Sequence, residues 1–438
     1  MKTTVRYIML MAMIIAMAAG CSKSKNNDAD SLLNTVPADA SSVVVVNMER
    51  ILDKLGCSTD GNSVKLSKEL QKYLDESKSI KAEDRQTIKD LCDGKTGISI
   101  TSIVYFSAAR SYITGLLNDP DKFISYLSER NPADSTSTAN PVVEENGAKI
   151  IGEATVIGHQ FWICMTGRPD SEQIKYYSKL NERQSFTSTK AAPVLLDAEK
   201  GVAYVADVNR AMGSIPEAAS MKMGASLMFE DLAYLSGDAD IEKKSVKATA
   251  MALDSDMKPA KLLLPTEKID TELIKSFAGN ADFYFAIGLD DKLMDKIGSI
   301  AGSMMGNSAS QAMKPLEQID GTLAVVSDSR MKNIEAKIQT TGKDFAELST
   351  VIQNLFGMSV TRAGNIITAR SSEEAVTGKI YSSDAAGRLK GAWIGFVAND
   401  FPAREMTTSA RLTADKGSLR LEIETEGGVD AIMTAVMK

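Results

Sequence analysis

The chain has 438 residues, 44% hydrophobic and 24% charged. That is a globular composition, which excludes disorder and collagen-like structure, and it is too long for one compact core, so two or three domains are expected. The 50 Lys plus Arg against 57 Asp plus Glu give −7, and the first twenty residues hold Lys2 and Arg6 but no acid, so the remainder is more acidic still. This balance argues against a nucleic-acid partner, which needs concentrated positive charge. One His, two Trp and 6% aromatics also count against several enzyme and lectin classes.

The first segment has a basic start, an apolar run from Tyr7 to Met17, and then Ala18-Ala19-Gly20-Cys21. The run is well short of the roughly 20 residues that span a bilayer, so residues 1–20 read as an export signal rather than a membrane helix. Small residues immediately before a cysteine resemble the bacterial lipobox, with Ala18 where Leu is usual. The resemblance implies cleavage before Cys21, a diacylglyceryl cysteine with palmitate-type acylation there, and durable membrane attachment through more than one acyl chain. Ser22 in place of Asp implies delivery to the outer membrane, with the periplasmic face or the cell surface left open. Residues 21–31 read as a polar tether. If Cys21 is acylated, Cys57, Cys92 and Cys164 remain. Cys164 lies in an apolar run and is expected buried and reduced, while Cys57 and Cys92 flank a helical stretch and can either pair or stay free.

Next along the chain, Val43 to Val46 is a β-branched run expected for a strand covered on both faces, and it leads into a helical pattern that ends at Gly56. Val64 to Cys92 reads as a charged helical insertion and residues 131–147 as a loop. The same order recurs later: Phe283 to Ile287 runs into Asp290–Gly298, which also ends Asp-Lys-apolar-Gly. Further collinear pairs are Thr166-Gly167 with Thr341-Gly342 before helices, Val202–Ala206 with Ile366–Arg370, and Thr266–Asp270 with Thr425–Asp430, so that Ile269–Phe277 should match Val429–Met437. Together they predict an internal duplication, with halves 32–278 and 279–438. Leu419, Leu421 and Ile423 alternate with charged residues, as in an antiparallel strand with one wet face. The expected fold class is α+β: two related domains, each an antiparallel or mixed sheet packed with several helices.

A lipobox, a tether and the start Val36-Pro37-Ala38-Asp39-Ala40-Ser41 running into a Val-rich strand resemble the uncharacterised domain-of-unknown-function lipoproteins of Bacteroides-type bacteria. The resemblance brings no activity, cofactor or catalytic residue. It does imply hosts that attach sugars at Asp-Ser/Thr-apolar or Asp-Ser/Thr-Thr sites, which Ser31 and Ser135 fit.

Local motifs give little chemistry. His159, the only histidine, falls at an expected hairpin turn, and no Gly-x-Ser-x-Gly elbow presents a serine to it. Common zinc spacings are missing from the sequence. Gly94-Lys95-Thr96 resembles the end of a phosphate loop, but Lys89 stands where its first Gly belongs and the preceding segment reads as helix, so Gly94 reads as a helix cap. Ser22-x-x-Lys25 lies in the tether. Asp238, Asp240 and Glu242 alternate as calcium ligands do, yet Lys243 replaces the required Gly. Asp290, Asp291 and Asp295, with Glu49 and Asp53, read as acids at helix starts.

The expectation is a non-catalytic envelope lipoprotein that binds a protein, lipid or glycan and needs no cofactor or metal; the alternative is an envelope hydrolase built on Asp, Glu, Ser or Lys. Segments 301–313 and 218–229 combine Met with Gly, Ala and Ser. Met304, Met305 and Met313 are therefore candidate partner contacts, against the plainer reading of Met as core filler.

Overall fold

The computed structural model describes residues 27–60, 62–77, 80–129, 141–196, 200–213, 225–290, 292–293, 295–296, 318–341, 346–415 and 417–428. Cys21, Ser135, Met304, Met305, Met313 and residues 429–437 lie outside them. Among the described residues the fold is α+β, built on antiparallel strands, and it forms two compact units. One comprises residues 27–213 and 232–258; the other comprises 225–231 and 259–427.

In the first unit, helix α1 (Asn27–Leu33) precedes strand β1 (Ser42–Asn47) and helix α2 (Met48–Lys54). A small hairpin, β2 (Ser58–Asp60) and β3 (Ser63–Lys65), leads to helices α3 (Lys68–Glu76) and α4 (Ala82–Cys92). Strands β4 (Ile98–Ser107) and β5 (Ser111–Leu117) follow, then helix α5 (Pro120–Glu129). After these come β6 (Val143–Glu145), β7 (Ala148–Ile151), β8 (Ala154–Ile157) and β9 (Gln160–Cys164). Helices α6 (Ser171–Tyr177) and α7 (Ala192–Leu195) lead to β10 (Val202–Asp207) and α8 (Val208–Met212). Strands β11 (Tyr234–Ile241) and β12 (Ser245–Leu253) complete the unit. All its sheet pairings are antiparallel, in the order β6-β7-β8-β9-β5-β4-β1-β10-β11-β12.

Strand alternation divides the apolar residues between two cores. Ile103, Ile113, Phe161 and Ile163 face α2, α3, α4 and α5 through Ile51, Leu74, Leu91 and Phe123. Val43, Val45, Val104, Phe106, Trp162 and Val205 face α1, α6 and α7 through Leu32, Leu33, Ile174 and Leu195. The valine run of β1 sits mid-sheet between β4 and β10, with Val43 and Val45 buried on one face and Val44 and Val46 only partly covered on the other.

Two expectations are corrected here. The tether does not extend to residue 31, because Ala29, Leu32 and Leu33 are fully buried and fix residues 27–33 as a helix. Ser31 is exposed, but on that helix rather than in a flexible segment. The loop 131–147 is not structureless at its end, since Val143–Glu145 pairs with β7 across an Asn146-Gly147 turn in which both residues have positive φ, the form a tight hairpin requires.

In the second unit, helix α9 (Thr271–Lys275) and strand β13 (Asn280–Ala281) precede β14 (Phe283–Leu289). Then come β15 (Ile319–Ser327), β16 (Ile334–Thr340), helix α10 (Ala346–Phe356), β17 (Ser359–Ala363) and β18 (Ile366–Arg370). Strand β19 (Ile380–Tyr381) pairs with β13 and opens helix α11 (Ser382–Arg388), and β20 (Ile394–Asn399), β21 (Thr407–Asp415) and β22 (Ser418–Glu426) close the unit. The sheet order is β17-β18-β16-β15-β14-β20-β21-β22, all antiparallel. Tyr284, Ala286, Ala324, Val326 and Val397 pack against α9 and α11.

The division differs from the expected halves. Ile269, Leu273, Ile274 and Phe277 belong to the second unit's core, so the changeover falls near residue 258 and not at 278. The matched pair Val202–Ala206 and Ile366–Arg370 is also displaced. The former, β10, borders central β1, whereas the latter, β18, lies three places from β14.

Candidate functional site

A concavity lies in the first unit, where the β4–β5 turn meets α6. The strap 36–38 runs beside 184–186, held by Phe186 N–H to Val36 O at 2.7 Å and Ala38 N–H to Gln184 O at 2.8 Å. This places Asp39 and Gln184 opposite α6. Helix α6 starts because Asp170 caps it, its carboxylate accepting the Gln173 N–H at 3.1 Å. Ile174 and Tyr177 then turn to the core, while Tyr176 stays 53% exposed.

Two adjoining depressions result. One, of about 370 Å³, is lined by Asp39, Ala108, Gln173, Tyr176, Tyr177 and Gln184. The other, about 820 Å³ and open, is bounded by Arg110, Glu145, Thr166, Arg168, Asp170 and Glu172. Ala109 borders both. Arg110 ties the rim together by donating to Arg168 O at 2.6 Å.

The floor is rigid. Tyr112 is fully buried, its ring 5.5 Å from Phe106 and 5.9 Å from Tyr177, and its hydroxyl donates to Gln173 Oε1 at 2.8 Å. Gln173, so held, lines the smaller depression. Burial holds the Tyr112 phenol above its ordinary range and pushes that of Tyr177, with the Asp39 charge adding to it, up to about 12. Both stay protonated at neutral pH, and that of Tyr112 donates to Gln173. The arrangement offers aromatic faces, amides and charges of both signs, which is recognition chemistry.

The catalytic candidates do not meet here. His159 sits in the β8–β9 turn with Nδ1 3.1 Å from Leu117 O. The far end of β9 faces the depressions, about 16 Å away at roughly 3.3 Å per residue. Asp84 and Glu153 are both held above the ordinary carboxylate range by burial, and each has one oxygen without a partner. They lie on separate elements, neither is among the charges acting on the other, and neither lines the depressions. Gly94, with φ of 65°, ends α4, and Lys95 pairs with Asp93 at 2.7 Å. Asp240 pairs with Lys54, Glu242 lies 3.4 Å from the same amine, and Asp238 lies 3.2 Å from Lys200; these three acids meet lysines rather than one another. Asp290 accepts the Leu293 N–H at 2.7 Å, as Asn47 accepts that of Arg50 at 3.0 Å. Cys57, Cys92 and Cys164 are free thiols.

Sequence reasoning missed the concavity because its residues come from 37–39, 108–110, 145 and 166–184, which only the sheet order brings together. Among the described residues no helix is long and apolar enough to cross a membrane. No protein-family model matches the chain, and no curated protein matches it. Among solved structures, crystal form IV of TP0453 is similar over 50% of this chain and 79% of its own, at 13% identity and a TM-score of 0.27. Crystal form III is similar over 81% and 96%, at 9% identity and a TM-score of 0.26. At such scores the likeness carries no functional argument.

Proposed function

We propose that the chain is a cell-envelope lipoprotein of the Bacteroides type, exported by residues 1–20, held in the outer membrane through acylated Cys21, and acting as a non-catalytic binding module. The ligand site in this reading is the pair of depressions beside α6. The observation that carries it is their lining: Tyr176, Tyr177 and Gln173 backed by a buried tyrosine cluster, with Arg110 and Arg168 on the rim and no nucleophile paired to a base.

The duplication belongs to the same proposal. Read outward from β1 and from β14, the strand orders run β1-β4-β5-β9-β8 and β14-β15-β16-β18-β17 on one side, and β1-β10-β11-β12 and β14-β20-β21-β22 on the other. The first unit adds the β6–β7 hairpin. In this frame β10 answers to β20 and β9 to β18, which replaces the pairing of β10 with β18.

A photocrosslinking residue at Tyr176 in living cells tests the site, with one at exposed Lys390 as control. The proposal predicts an adduct at 176 that is missing at 390. The same adducts at both positions, or none at 176, would refute it.

A further inference from the structure

In the second unit, strands β14, β17 and β21 begin, and β15, β18 and β20 end, at one end of the sheet, as the pairs Phe283↔Ser327, Glu335↔Arg370, Ser359↔Arg370 and Asn399↔Thr407 fix. Four exposed large apolar side chains of that unit stand there, while Leu227 and Leu263 are exposed elsewhere in it. Met331 (62% exposed) tips the β15–β16 turn, Phe401 (51%) tips the β20–β21 turn, Phe356 (69%) ends α10 just before β17, and Tyr381 (60%) ends β19 beside the start of β14. With strands about 4.8 Å apart, the two turns stand about 14 Å from each other and Phe356 about 12 Å to the other side of Met331.

These tips are braced. Asp328 accepts the N–H groups of Arg330, Lys332 and Asn333 at 3.0, 3.0 and 3.2 Å, and this holds Met331 at a φ of 52°. An L residue pays for that conformation, and Gly or Asn usually occupies it. The segment Asp254-Ser255-Asp256-Met257-Lys258 of the first unit makes the same turn: Asp254 accepts from Asp256 and Lys258 at 2.8 and 2.9 Å, and Met257 has a φ of 62°. There the methionine packs on the core; Met331, in the same backbone, points into solvent. Phe401 stands on a column of rings, edge-on to Phe396 at 6.3 Å, with Phe396 stacked on Phe283. Asp400 takes the Glu405 N–H at 2.7 Å and lies 3.2 Å from the Lys379 amine.

Three of the four have a cation nearby in the chain: Arg330 and Lys332 flank Met331, Arg404 follows Phe401, and Lys379 precedes Tyr381. The exposed acids Glu373, Glu374 and Glu405 share this end and balance the charge. Separate rigid apolar points with charges of both signs between them suit a deformable plane of zwitterionic headgroups, where phosphates meet the cations and ammonium groups the acids.

We infer that this end of the second unit seats itself in a phospholipid surface, with Met331, Phe356, Tyr381 and Phe401 as anchors. The inference is independent of acylation at Cys21, so its test uses the full chain carrying Cys21→Ser. That protein should co-sediment with phosphatidylcholine vesicles, with little change on raising salt. Met331→Gly relieves the positive φ, so its melting temperature should hold or rise while vesicle partition falls about tenfold, as the loss of one buried apolar side chain requires. Phe356→Ser should do the same without a stability cost. A Phe356→Trp reporter should shift to the blue on adding vesicles. Failure of the Cys21→Ser chain to sediment, or undiminished partition of Met331→Gly and Phe356→Ser, would overturn the inference.

Discussion

Replacing Tyr112 with Phe removes a single oxygen from beneath the proposed ligand site. The ring keeps its contacts with Phe106 and Tyr177, so the void is no larger than a hydroxyl. What disappears is the 2.8 Å hydrogen bond to Gln173. Gln173 is half-buried at the depression and its oxygen can turn to water, so the loss is that of an ordinary hydrogen bond, about 1 kcal/mol, rather than that of a stranded acceptor. In a urea titration the midpoint should fall accordingly, and melting should drop by about 2–4 °C.

The substitution also has a pH signature. Burial holds the Tyr112 and Tyr177 phenols above the usual value, so above about pH 10 the unfolded chain releases protons that the folded chain retains, and stability falls as pH rises. For Tyr177 this fall continues to about pH 12. Tyr112→Phe removes one such proton and should flatten the alkaline decline by at most about 1.4 kcal/mol per pH unit, less where solvent screens the charge. A loss beyond about 3 kcal/mol, the most a stranded polar group costs, or an unchanged alkaline slope would refute this reading of the floor.

Gly237→Ala would put a Cβ 2.1 Å from Thr249 O and 2.5 Å from the Tyr204 ring; stability from denaturant titration should fall by about 1–3 kcal/mol, and an unchanged midpoint would contradict the packing. The backbone N–H groups of Lys332, Asn333 and Arg330 hold the Asp328 carboxyl below its ordinary value, so its contribution is present above about pH 4 and is lost as pH falls through the folded value; the exchange protection of the Lys332 amide, relative to its intrinsic rate, should fall there, and in Asp328→Ala at every pH. Burial raises the Cys57 thiol and pushes that of Cys92 up to about 12, so thiol reagents should label them only after unfolding, and reductant should leave the melting temperature unchanged. Rapid native labelling, or a reductant-sensitive melt, would indicate a different thiol state.

Strands β1 and β22 are legible in composition: Val43 to Val46 is a β-branched run whose buried members Val43 and Val45 meet a core, and Leu419, Leu421 and Ile423 alternate with charged residues along β22. Helix α1 was not, since Asn27-Asp28-Ala29-Asp30-Ser31 is polar by composition and only the spacing of Ala29, Leu32 and Leu33 betrays its buried stripe. Helix α9 is legible as a helix, but its unit is not, because periodicity does not say which core a stripe meets. The repeated Asp-Ser-x-Met-Lys turn is visible in the sequence, yet its meaning depends on a backbone conformation unusual for methionine. The ligand site required tertiary structure, since its lining arrives from four separated segments.

The central claim is envelope anchoring through Cys21, and mass measurement of the amino-terminal peptide of the native protein tests it most directly. The account predicts a chain beginning at Cys21 with diacylglyceryl and acyl mass on that residue. A native chain that retains Ala18-Ala19-Gly20 before an unmodified Cys21 would contradict it.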